Sequence, residues 1–191
     1  NILVSLEAKK NLRKFDITKL NKRCDYSKVE LQSKPNIILI AAESYGRVVI
    51  DNPELFDSYS QYMAEHEKKL KENGFQASSI LSTAPISGGG SWVSYSSILY
   101  GFNIMNQGTY HALFKKKELD SYENMMRFFK KRGYKNYYLN SLAGYEKITI
   151  PWEDLSRFYG VDVWVTFKDL KYTSNLYGFG PAPPDQYTLN F

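Results

Sequence analysis

The chain has 191 residues, 43% hydrophobic and 24% charged, the balance of one globular domain or of part of a larger one. Its net charge of +5 is mild, and its basic clusters (Lys9, Lys10, Arg13 and Lys14; Lys115 to Lys117; Lys130 to Arg132) carry no stacked aromatic motif, so no nucleic acid is expected as a partner. The single cysteine, Cys24, excludes an internal disulfide and a cysteine-rich zinc site.

No run approaches the roughly 20 apolar residues of a membrane span, and no signal peptide is visible. The chain opens at Asn1 without Met and stops at Phe191 without a turn or cap signal, so it is expected to be a fragment at both ends.

Residues 1–34 are charged and weakly periodic. They hold one short helical stretch, "LEAKKNLRKF", and read as an N-terminal arm or linker that ends at Ser33-Lys34-Pro35. "NIILIAAES", Asn36 to Ser44, is a continuous apolar run bounded by proline and polar residues. It predicts a buried parallel strand. Pro53 to Asn73 predicts a helix with Leu55, Tyr59, Tyr62, Met63, His66 and Leu70 at helical spacing, and Gly74 at its end. "FQASSILST" predicts a second strand.

After three glycines, Trp92 to Tyr100 predicts a helix stopped by Gly101. Leu119 to Lys131 predicts another, ending at Gly133. "YKNYYLNS" and Val161 to Val165 predict strands, and "YGFGPAPPDQ" a loop. Strands alternating with helices predict an α/β domain with a mainly parallel sheet flanked by helices. In such sheets, sites lie at the carboxyl ends of strands.

Two features fall at predicted strand ends. Glu43 closes the first strand, where a carboxylate is costly unless paired, protonated or metal-bound. It either caps the following turn or pairs with Arg47, or it offers oxygen to a divalent cation. The "SGGGSW" loop follows the second strand. Its glycines allow positive φ and close backbone approach, and Ser91 then stands at a helix start, where N–H groups and the helix dipole favour negative charge. Ser91 is a plain capping serine or a nucleophile for phosphorus. The loop is not a Walker loop, since no Lys-Ser/Thr pair follows. Nor is it a G-x-S-x-G elbow, since Val93 takes the last glycine's place. His66 reads as face-lining on a helix and His111 as a surface loop histidine. Trp152, after a proline, reads as packing or as a pocket wall.

The ordered set "KPNIILIAAESYGR", "GGGSW", "PWEDLSRFYGVD" and "PDQYTL" resembles the alkaline phosphatase superfamily. Within it the chain looks like the bacterial, membrane-anchored, sulfatase-like proteins related to the lipoteichoic acid synthases and phosphoethanolamine transferases. The resemblance runs from Lys34 to the C-terminus. It implies that residues 35–191 are the N-terminal portion of an alkaline-phosphatase-like catalytic domain, incomplete in this chain. It implies Glu43 as a metal ligand, Ser91 as nucleophile and second metal contact, and Trp152 and Gly90 beside the substrate headgroup.

A divalent metal (Mn, Mg or Zn) is implied, with further ligands beyond Phe191. So are a phosphoester or lipid-headgroup substrate, the remaining C-terminal half of the domain as a partner, and an extracytoplasmic location through a membrane segment outside this chain. The activity implied is metal-dependent phosphoryl hydrolysis or transfer by the full-length parent, with this fragment inactive by itself.

Three departures bear on specificity. Asp154 stands where the synthases carry arginine, so phosphoglycerol recognition is not implied. Gly90 stands where close look-alikes often have arginine. Val93 and Tyr95 replace the proline and arginine of the formylglycine motif, so formylglycine sulfatase chemistry is rejected. The alternatives are a truncated or degenerate member that binds an anionic headgroup or partner without catalysis, and an unrelated α/β esterase using Ser91.

Overall fold

A computed structural model describes Leu6, Lys10 and residues 26–42, 46–86, 89–144, 151–178 and 180–191. The chain divides into two compact units, Lys34–Ala84 and the remainder, Asn1–Ser33 with Pro85–Phe191.

In the first unit, Asn52 and Pro53 set a helix start. The Asn52 side chain accepts a hydrogen bond from the Glu54 N–H, and Pro53 takes the first helical position, where its missing N–H costs nothing. The helix α2, Pro53–Glu72, follows a single turn, α1, Val48–Asp51. It ends as its composition predicts, at left-handed Gly74 (φ +79°). Its ion pair Glu65–Lys69, at 2.7 Å, is exposed and adds little. No residue of α2 is buried.

The second unit holds the core. Helix α3, Ser91–Tyr100, lies between left-handed Gly90 and Gly101 and buries Val93, Ser96, Ser97, Leu99 and Tyr100. Helix α4 is Gln107–Leu113, and its first N–H groups are capped by Asn106. A 3-10 turn, Lys117–Asp120, precedes helix α5, Met125–Lys131. Strand β1, Tyr137–Asn140, pairs in parallel with β2, Val163–Thr166, in the register Tyr137 opposite Val163 to Asn140 opposite Thr166. Helix α6, Trp152–Tyr159, lies between the two strands in the chain, and α7, Asp185–Leu189, closes it. Phe158 of α6 sits in the aromatic centre, stacked on Phe114 at 4.1 Å and beside Tyr100 at 4.7 Å.

The C-terminus of α6 is held by α5. Arg127 donates to the Arg157 and Phe158 carbonyls, Asn124 donates to the Tyr159 carbonyl at 3.0 Å, and the Tyr100 hydroxyl donates to the Phe158 carbonyl. These are carbonyls that a helix end cannot pair within itself, and the guanidinium also meets the negative end of the helix. Gly160 then turns left-handed (φ +80°), and a Cβ there would stand 2.8 Å from Arg127 Cγ. Gly160→Ala is therefore expected to lower the urea midpoint through a stability loss of about 1–2 kcal/mol for the left-handed backbone alone, with a further loss as Arg127 is displaced. Unchanged stability would refute that account of the turn.

The expected α/β architecture is not found. Among the described residues helix outweighs strand, 44% against 6%, with a two-stranded sheet, and the fold is not alkaline-phosphatase-like. The described part of Asn36 to Ser44 has no regular structure, and Ile38 is 82% exposed. "FQASSILST" is likewise irregular, with Ile80 93% exposed. A strand exists by pairing its N–H and C=O groups with a neighbour, and among the described residues neither segment has one. The predicted helix Leu119 to Lys131 is also broken. Asn124 turns extended, and its side chain accepts from the Arg127 N–H, which restarts the helix at Met125. Most of the N-terminal arm lies outside the described residues, but Tyr26 packs against Phe128 at 5.1 Å and the Val29 carbonyl accepts from Arg132.

Between α5 and β2, Asp162 accepts hydrogen bonds from the Asn136 N–H, at 2.9 Å, and from Lys130. Desolvation, the largest single effect, pushes its carboxyl up, but the Asn136 amide and the Lys130 ammonium together hold it below the usual aspartate range. A lowered folded value contributes stability that is present above the unfolded value of about 3.9 and is lost as pH falls through the folded one. Asp162→Asn is expected to flatten the acid limb of a stability–pH curve below about pH 4. An acid limb identical to that of the unmodified protein would remove Asp162 from the account.

Candidate functional site

The glycines before Ser91 fix a turn rather than a flexible link. Gly89 and Gly90 have φ of +94° and +74°, values that favour glycine. Gly90 is buried, and a Cβ on it would meet Ile86 Cδ1 at 3.3 Å and Gln107 Nε2 at 3.5 Å. An arginine at this position, as in the look-alikes, would need both a strained backbone and a shift of Ile86. The Gly90 carbonyl accepts from the Val93 N–H at 2.9 Å, which seats the first turn of α3.

Ser91 is the first residue of α3 and half-buried. The N-cap is Gly90, which has no side chain to offer the first-turn N–H groups. Trp92, beside it, is 40% exposed. Further along α3, Ser96 and Ser97 turn inward. The Ser96 hydroxyl bonds the Tyr159 hydroxyl at 2.6 Å, which meets Tyr110 at 3.1 Å, and Ser97 receives the Ile104 N–H. Burial pushes Tyr100 up to about 12 and Tyr159 well above the usual phenol value, so both stay protonated at neutral pH. The helix thus commits Ser96 and Ser97 to the core and places Ser91 at its N-terminus.

Glu43 lies outside the described residues, as do Ser87 and Gly88, so the expected pairing of Glu43 with Ser91 falls outside what the structure describes. Trp152 opens α6 after Pro151. Asp154, in the same first turn, accepts from Arg157 at 3.3 Å, and Arg157 also pairs with Asp120 and donates to the Phe114 carbonyl. The acid that departs from the synthase pattern is therefore part of an ion-pair brace. His66 is half-buried on α2, with Nδ1 2.8 Å from the Tyr62 carbonyl and its ring 4.0 Å from that of Tyr62. His111 is exposed in the last turn of α4, a helix rather than the expected loop.

Gln107 is the neighbour that the sequence did not reveal. It enters because Asn106 starts α4, the Asn106 side chain accepting from the Thr109 N–H at 2.8 Å. The Asn-x-x-Thr spacing was the available signal. Among the described residues no group of three or more His, Cys, Asp or Glu gathers to hold a metal ion. No helix of the described residues is long and apolar enough to cross a membrane. No protein family, curated protein or solved structure matches the chain.

Proposed function

We propose that the chain supplies the serine nucleophile of a metal-dependent phosphoryl hydrolase or transferase acting on phosphoester or lipid-headgroup substrates. The observation that carries the reading is the place of Ser91: the first residue of a helix of ten, directly after two left-handed glycines. The first-turn N–H groups and the positive helix end favour an anion there. Among the described residues nothing stands within 4 Å of the place a Cβ would take on Gly89, which leaves that backbone open to close approach.

In this reading the Ser91 hydroxyl oxygen attacks phosphorus. The new P–O bond to serine forms as the bond to the leaving alkoxide breaks, and the serine proton ends on that alkoxide, which departs as the alcohol. Water or an acceptor alcohol then attacks the phosphoserine and returns the free hydroxyl. The α3 N-terminus offsets charge on the non-bridging oxygens throughout. The Gln107 amide nitrogen lies 3.5 Å from where a Cβ on Gly90 would stand, and in this reading it orients a substrate oxygen.

The described residues do not by themselves make a metal centre, and none of these steps is routed through one. The resemblance assigns Mn, Mg or Zn to Glu43 and Ser91, with ligands beyond Phe191. Such a cation would ease deprotonation of the hydroxyl and offset phosphoryl charge. The full-length parent is then an extracytoplasmic, membrane-anchored phosphoryl-transfer enzyme, and Trp152 borders the headgroup. This assignment of activity stands on the serine turn, not on the sheet.

The test is acid-quench mass spectrometry of the full-length protein turning over a phosphodiester or a monoester with each metal added. The expected result is phosphate on the peptide that contains Ser91. Metal-dependent turnover with no label on that peptide would reject the nucleophile. Headgroup binding with no turnover under any metal would favour the non-catalytic alternative, and turnover indifferent to metal would favour an esterase.

A further inference from the structure

We draw no further inference here: the strongest candidate, the apolar stripe of α2 formed by Phe56, Tyr59, Met63, His66 and Leu70, spans only about two heptads, short of the three or four that argue a coiled coil, and nothing in the structure shows what covers it.

Discussion

Ser91→Ala in the full-length protein is expected to lower kcat on phosphoesters by about a thousandfold or more, with KM nearly unchanged. Loss of a nucleophile elsewhere costs up to roughly 10⁶-fold, and whatever turnover remains would come from the helix end and bound groups. The loss is expected without unfolding. Ser91 is only half-buried, the N-cap is Gly90, and alanine is a good helix former at the position after it. Stability of the variant should therefore lie within about 1 kcal/mol of the unmodified protein. Ser91→Thr, which keeps a hydroxyl, should retain part of the rate. A Ser91→Ala protein with full metal-dependent kcat would end the reading. Ser96→Ala serves as the contrast. Its hydroxyl is fully buried and bonded to Tyr159, so it should lower stability and leave the chemistry alone.

Phe158→Ala is expected to destabilise the second unit by about 3–5 kcal/mol, enough to unfold a domain of ordinary stability. Phe158 is 1% exposed and touches the rings of Tyr100, Phe114, Tyr110 and Tyr159. Those rings come from α3, α4 and its end, and α6, so truncation opens a cavity where three helices meet. Rigid aromatic neighbours collapse poorly into such a gap, which places the cost at the upper end of the range. Phe158→Leu, which keeps most of the volume, should cost clearly less. Urea unfolding followed by near-ultraviolet circular dichroism measures both. An alanine variant within 1 kcal/mol of the unmodified protein would show that Phe158 is not the centre of the core.

The helices that the sequence revealed carry their own punctuation. Pro53 and Gly74 bound α2, and Gly101 ends α3, because proline and glycine act on the local backbone whatever packs around it. β1 and β2 were also legible, as short β-rich segments on either side of α6. "NIILIAAES" was misleading for the opposite reason. Apolar character states a preference for burial, not a partner, and periodicity alone cannot supply the neighbouring strand. Leu119 to Lys131 kept helical spacing across a break because spacing is blind to a cap in its middle; Asn124 was the clue. The α4 helix, only seven residues long, was hidden within what read as a loop, and Gln107 was hidden with it. The serine turn was legible from its glycines alone. Its neighbours Ile86 and Gln107 were not, since they are brought there by tertiary packing.

Asn124 has a meaning beyond the bonds already described. Its carbonyl oxygen accepts at the beginning of α5, and its amide nitrogen donates at the finish of α6. A carboxamide has one accepting end and one donating end, so it can join only a helix beginning to a helix finish. The positive pole of one peptide array thus meets the negative pole of the other, like two magnets set in series rather than side by side. That polarity is written into a single residue with 0% exposure. Aspartate would match its shape but offer acceptors at both ends, setting a negative charge against the α6 carbonyls. Hydrolysis of this one amide would therefore reverse the coupling between the helices without changing the size of any side chain.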